Sequence, residues 1–190
     1  PQTVTLNGTN KFNDNDDYGL FVNSKGAIRT NAVTANGNGA NGVFLQNNGG
    51  TAASSITMTG VNVISGNTQT NLSVSSSGAV LLNSITANSS LNENGADIVN
   101  TSAVSASVTL TGVNSFSSNS DNGLIISSNG AITISSLTAS SNGPNGSFGA
   151  RLINQNSPTK AGITLTGVNS FISNSGVGVA GLEIDSLGNV

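Results

Sequence analysis

The stretch SVTLTGVNSFSSNSDNGLIISSNGAI, residues 107–132, decides how this chain is read, because three altered copies of it accompany it. They are TVTLNGTNKFNDNDDYGLFVNSKGAI from Thr3, SITMTGVNVISGNTQTNLSVSSSGAV from Ser55 and GITLTGVNSFISNSGVGVAGLEIDSLGNV from Gly162. Gly8, Gly60 and Gly112 recur at one constant step, and Gly167 follows after a slightly longer one; Ala27, Ala79 and Ala131 keep the same step as the glycines. A fainter echo lies inside each copy. Leu6, Val33, Met58, Ile85, Leu110, Leu137 and Leu165 follow one another at about half that step, each opening a phrase such as TLNG, AVTA or SITA. The elementary unit is therefore about 26 residues, with two units per repeat.

Short alternating segments such as VTLTG and GLIIS, broken by Asn-Gly and Ser-Gly, read as strands and tight turns, and helical spacing is nowhere sustained. A unit this short cannot bury one face alone, so neighbours must stack and share a core. The fold expected is all-β: a parallel β-helix of about seven coils, each of roughly 26 residues with about three short strands. Residues 1–190 form a single domain, with two-coil repeats at 1–53, 54–106 and 107–161 and a partial repeat at 162–190.

Composition fits an ordered, weakly charged surface. Only 7% of residues are charged and 4% aromatic, there are 24 Gly and no Cys or His, and β-branched residues recur at regular places. A net charge of −3 with five basic residues gives no footprint for a phosphate backbone, so nucleic acid is not an expected partner. No apolar run approaches the ~20 residues of a membrane span.

Reading down the copies gives three apolar columns: Leu20, Leu72, Leu124, Leu182; Val22, Val74, Ile126, Ile184; and Phe12, Ile64, Phe116, Phe171. These point inward, whereas Phe44, Asp97 and Arg151 of the intervening coils point outward. Two asparagine columns also recur, Asn10, Asn62, Asn114, Asn169 and Asn15, Asn67, Asn119, Asn174. At a bend, each amide could bond both local backbone and the same amide one coil away, so both columns are expected to be structural ladders.

The phrase GVNSFSSNSDNGLIISSNGAITI resembles the parallel β-helix repeat of the pectin-lyase-like superfamily, in which an apolar-x-x-Asn turn precedes a Gly-apolar strand. Similar repeats occur in large bacterial surface adhesins and secreted fibre proteins. The resemblance covers nearly the whole chain and implies a right-handed helix and an extracellular or cell-surface location. It does not choose among lyases, glycosidases and structural stalks.

The chain departs from the enzymes of that superfamily, which gather several Asp residues in one cleft. Only NDNDD, residues 13–17, is dense in acids; Asp14, Asp16 and Asp17 could ligate Ca²⁺, but a solvated turn is the simpler reading. No catalytic residue and no cofactor is expected. A sharper alternative is binding to ice or a crystalline surface through an outward column of Thr34, Thr59, Thr86, Thr111, Thr138 and Thr166, since regular hydroxyl spacings could order water. A carbohydrate-binding β-helix stands third. The main expectation is a non-catalytic structural or adhesive module that acts as a spacer, stalk or fibre subunit. Its ends would be covered by flanking coils or by head-to-tail stacking of copies, with an axial repeat of roughly 34 Å. In such a stack Glu183 and Asp185 would lie near Lys25. Glycans or surfaces complete the partners considered, with a sequon at Asn88-Ser-Ser90.

Overall fold

In the computed structural model, which describes residues 2–49, 54–101, 106–143, 147–157, 159–176, 178 and 180–190, the chain winds as a parallel β-solenoid. Coil 1 carries β1 (Val4–Leu6), β2 (Asn10–Lys11) and β3 (Leu20–Asn23), and coil 2 carries β4 (Ile28–Asn31), β5 (Val33–Thr34) and β6 (Val43–Gln46). Coil 3 has β7 (Ile56–Thr59), β8 (Asn62–Val63) and β9 (Leu72–Ser75); coil 4 has β10 (Val80–Asn83), β11 (Ile85–Thr86) and β12 (Ala96–Asn100). Coil 5 has β13 (Val108–Thr111), β14 (Asn114–Ser115) and β15 (Leu124–Ser128); coil 6 has β16 (Ile132–Ser135), β17 (Leu137–Thr138) and β18 (Ala150–Ile153). Coil 7 supplies β19 (Ile163–Thr166) and β20 (Leu182–Asp185), while Ser170 bridges Thr138 on its middle face.

Corresponding strands of successive coils pair in parallel, building sheets of seven, six and seven strands that we call the first, second and third faces. Seven rungs make six full turns. On the first face Val4, Ile28, Ile56, Val80, Val108, Ile132 and Ile163 stand in register, and the steps between them alternate, shorter from Val4 to Ile28 and longer from Ile28 to Ile56. The expected unit length is thus right as an average of two alternating lengths. The repeat boundaries at Ser54, Ala106 and Ala161 fall in the corner between third and first faces; Pro1 and Ala53 lie outside the described residues.

Strand alternation builds the core. Inward residues on the internal rungs are buried, and their neighbours in sequence are half-exposed, as in Val43–Gln46 and Leu72–Ser75. The three expected inward columns do line this core, with Phe12, Val22, Phe171, Leu182 and Ile184 only partly covered on the terminal coils. The missing members complete the pattern. Phe12, Ile64, Phe116 and Phe171 alternate with Ala35, Ala87 and Ala139, because Phe12 N–H donates to Thr34 O, Ala35 N–H to Val63 O, and so on up the column. A bulky side chain on one rung lies over a methyl group on the next, which fills the interior without collision.

The corners alternate too. Between first and second faces, coils 1, 3, 5 and 7 turn through a left-handed glycine (Gly8, Gly60, Gly112, Gly167) plus an extra residue. Coils 2, 4 and 6 turn through Ala32, Ser84 and Ser136 at positive φ with one residue fewer. We call these long and short corners.

This alternation corrects the internal echo. Leu6, Met58, Leu110 and Leu165 lie on the first face, whereas Val33, Ile85 and Leu137 begin second-face strands. Phrases such as SITA imitate TLTG but are one face further along. The true partners of Met58 on the first face are Thr30 and Leu82.

Candidate functional site

Polar side chains converge in this fold at the corners, along the rod axis. At the corner between second and third faces, Asn15 Nδ2 donates to Asn38 Oδ1 at 2.8 Å and Asn38 Nδ2 to Asn67 Oδ1 at 2.8 Å. Asn119 Nδ2 donates to Asn142 Oδ1 and Asn142 Nδ2 to Asn174 Oδ1, both at 3.0 Å. Each of these acceptor oxygens also takes a backbone N–H, and from Asn38 upward each Nδ2 also donates to a carbonyl; Asn67, for example, reaches Ala35 O at 3.0 Å. Asn38, Asn67, Asn119 and Asn142 are almost fully buried with their amides satisfied. Asn15, Asn67, Asn119 and Asn174 thus lie in one ladder with Asn38 and Asn142, the members in intervening coils that sequence comparison alone does not align.

Coil 4 has Ser90 where an amide is due. The gap is filled from the rung below: Asn71 Oδ1 accepts from Asn67 Nδ2 at 2.7 Å, and Asn71 Nδ2 donates to Asn119 Oδ1 at 3.3 Å. The position of Asn71 is otherwise glycine (Gly19, Gly42, Gly95, Gly123, Gly149, Gly181). A Cβ at Gly123 would lie 2.6 Å from Asn142 Nδ2, and one at Gly19 the same distance from Asn38 Nδ2, so glycine is required wherever the rung above carries the amide.

The other expected ladder is built differently. Asn10, Asn62, Asn114 and Asn169 stand only on long-corner coils, two rungs apart, and the rungs between carry Val33, Ile85 and Leu137 at the same place. Amide-to-amide bonding is therefore corrected to amide-to-backbone bonding. Asn10, Asn62 and Asn114 donate from Nδ2 to the carbonyls of Asn31, Asn83 and Ser135 above, at 2.8, 2.9 and 2.9 Å. Asn62, Asn114 and Asn169 accept at Oδ1 from the N–H of Val33, Ile85 and Leu137 below, at 3.0, 3.2 and 3.0 Å. The extra residue of the long corner throws backbone groups out of register, and the side chain supplies the missing donor and acceptor.

Two further polar columns escape a sequence reading. Asn13, Asn36, Ser65, Asn88, Ser117 and Ser140 relay bonds to the backbone of neighbouring rungs, with Asn88 Oδ1 accepting Ser117 N–H at 2.7 Å. The sequon asparagine Asn88 is thus committed to the rod, and Ser90 is buried. Asn47, Asn100 and Asn154 close the mouths of the longer loops of coils 2, 4 and 6, where Asn100 Nδ2 reaches both Gly78 O at 3.0 Å and Ala106 O at 3.1 Å.

The threonine column is not one column. Thr59, Thr111 and Thr166 lie on the first face, while Thr34, Thr86 and Thr138 lie on the second, interrupted by Val63 and Ser115. The displaced echo merges the two. Thr59 and Thr111 also use their hydroxyls internally, donating to Asn31 Oδ1 at 3.0 Å and Asn83 Oδ1 at 2.9 Å. The actual outward columns of the first face read Thr5, Arg29, Thr57, Leu81, Thr109, Thr133, Thr164 and Asn31, Thr59, Asn83, Thr111, Ser135, Thr166, so Arg29 and Leu81 break any hydroxyl lattice over the first four rungs.

Asp14, Asp16 and Asp17 are exposed at the corner of coil 1, and the adjoining amides of Asn13 and Asn15 are spent on the polar columns. Among the described residues no three acidic side chains come together as a metal site. Glu183, expected as a stacking contact, is bonded within the rod: Arg151 Nε donates to its Oε1 at 2.8 Å, and Arg151 also lies 5.4 Å from the Phe148 ring centre. Lys25 is exposed, and Asp185 continues the third-face register above Ile153. Burial, and secondarily Glu93, raises the Asp97 carboxyl above its ordinary value. Near the other end Phe21 and Phe44 stack at 5.1 Å with Tyr18 edge-on.

A concavity of about 860 Å³ is the open end of the core itself, lined by Leu165, Phe171, Leu182, Ile184 and their neighbours on coil 7. Among the described residues no helix is long and apolar enough to cross a membrane. Comparison with models of known protein families, with curated proteins and with solved structures finds no match for this chain.

Proposed function

We propose that this chain is a non-catalytic, extracellular structural module: a stiff spacer or stalk whose coils separate whatever lies at its two ends. One observation carries the reading, namely that the buried asparagines are spent on joining coil to coil instead of converging in a lateral cleft. A polysaccharide-acting solenoid would hold several carboxylates in one groove, whereas the acids here are scattered and the concavity at the end of the core has no carboxylate in its lining. Extracellular display, and kinship with the pectin-lyase-like repeats of bacterial adhesins, rest on the resemblance of the repeat alone.

The test is geometric. Spin labels at Thr5 and Thr164, which occupy one outward column six rungs apart, should give a narrow distance distribution centred at about 29 Å plus label length. Deleting residues 56–107, one complete pair of coils, should keep the fold and shorten that distance by about 10 Å. A broad distribution, or loss of folding on deletion, refutes the spacer. Specific binding to a glycan array, abolished by changes at Tyr18, Phe21 or Phe44 that leave the fold intact, would replace it with a recognition role.

A second reading keeps one supporting feature. On the last three rungs Thr109 and Thr111, Thr133 and Ser135, and Thr164 and Thr166 do form adjacent outward pairs. Thermal hysteresis in the purified protein, lost in Thr133→Leu, would favour ordering of water by this patch.

A further inference from the structure

We propose that the open face of coil 7 is a docking surface for one kind of partner, a β-solenoid coil with a short corner, and that the first coil of a second copy does not fit it. This narrows the stalk reading but stands on independent geometry. Every rung-to-rung interface in the chain joins a long-corner coil to a short-corner coil, and two features make that pairing specific.

The first is the corner asparagine. Asn10, Asn62 and Asn114 each donate upward to a carbonyl that immediately precedes the left-handed residue of a short corner, at 2.8–2.9 Å. Asn169 makes the downward half of this link, accepting from Leu137 N–H at 3.0 Å. Its amide meets only its own turn, at 3.4 Å to Thr166 O and 3.5 Å to Gly167 O, in exposed positions. The donor is aimed where the next short corner would present its carbonyl.

The second is the core column. Phe12, Ile64 and Phe116 are each covered from above by an alanine, Ala35, Ala87 or Ala139. Phe171 faces the open end half-exposed. A second copy stacked head to tail would bring Phe12 onto Phe171, two rings in the space that the fold elsewhere gives to a ring and a methyl, which is overpacking. A short-corner coil brings alanine. The start of such a coil is already in place, since Ile163 N–H donates to Asn189 O at 2.9 Å, as Ile56 N–H does to Ala79 O, and this sets Val190 in the column of Ile28, Val80 and Ile132.

The experiment extends the full chain after Val190. One extension carries residues 133–161, a short-corner coil with its own ladder amide at Asn142; the other carries residues 109–131, a long-corner coil. The short-corner extension should raise the unfolding midpoint by at least about 4 °C, in line with added core and edge pairing. It should also slow amide exchange at Leu165, Phe171, Leu182 and Ile184 at least about tenfold, since β19 and β20 cease to be edges. The long-corner extension should do neither. Asn169→Asp, which keeps the oxygen that accepts from Leu137 N–H and lacks the exposed amide donor, should be near neutral in the parent and should remove most of the gain in the short-corner extension. Equal gains from both extensions, protection from neither, or head-to-tail association of the unextended chain in sedimentation would overturn the proposal.

Discussion

The substitution at Asn71 offers a compensated test of the main ladder. Asn71→Gly restores the residue found elsewhere in that column but removes the amide that stands in for coil 4. Four bonds go: Asn67 N–H and Asn67 Nδ2 to Asn71 Oδ1, at 3.1 and 2.7 Å, and Asn71 Nδ2 to Asn88 O and Asn119 Oδ1, at 2.9 and 3.3 Å. Asn67 Nδ2 keeps Ala35 O and Asn119 Oδ1 keeps Ser90 N–H, so the clear orphan is the Asn67 N–H, at a fully buried residue. One buried unpaired donor costs about 1–3 kcal/mol, and the remaining lost bonds add about 0.5–1.5 kcal/mol each before relaxation. A net loss of about 3–5 kcal/mol follows, which at this chain length lowers the thermal midpoint by roughly 10 °C. Ser90→Asn alone should also destabilise, since a second amide enters space that Asn71 occupies. Together the two changes recreate the regular rung, glycine below and asparagine above. The double variant should recover at least about 2 kcal/mol relative to the sum of the single effects, measured as a coupling energy from urea midpoints. A double variant no more stable than additivity predicts would refute the account of why coil 3 breaks the glycine column.

Three further changes probe other links. Thr30 sits inward between Leu6 and Met58 with its hydroxyl buried and unpartnered, so Thr30→Val should raise stability by about 1 kcal/mol in denaturant titration; a loss would mean that the hydroxyl has a partner. At Gly95 an added methyl would lie 2.5 Å from Gly123 O and against Asn119 Nδ2, so Gly95→Ala should cost about 2 kcal/mol or more, visible as a lowered midpoint, whereas an unchanged one contradicts the close approach. The raised carboxyl of Asp97 means that the unfolded chain releases that proton first; its contribution to stability falls as pH rises from the ordinary value of 3.8 through the folded-state value, and stays lost above it. Asp97→Asn should therefore be more stable than the parent at neutral pH, with the advantage vanishing below about pH 3.8, and a pH-independent difference would point to packing instead.

Fold class and repeat were legible because two signals survive in one dimension: apolar alternation and a glycine that returns once in every pair of coils. The register within a repeat was not. Ala32, Ser84 and Ser136 take the left-handed bend without glycine, so short corners carry no marker, and AVTA passes for an echo of TLTG when it belongs to the next face. That single displacement merged threonines of two faces into one column. The ladder of Asn15, Asn67, Asn119 and Asn174 was readable because its members keep a near-constant step, but Asn71 was not, since its role depends on an absence at Ser90 on the rung above. The Arg151–Glu183 pair joins residues 32 positions apart across one rung, a neighbour relation that only the correct register reveals.

The direction of the ladders governs how this rod would answer a pull. Rung-to-rung hydrogen bonds run along the axis, so tension between the ends loads the outermost rung first, and coils can peel one after another instead of sharing the load. Each peeled coil, about 26 residues long, exchanges about 4.8 Å of rod for roughly 90 Å of extended chain. A short rod of this kind stores far more reach than its folded length, and a tether built from it would yield in steps under a jerk, lengthening before its anchor points break.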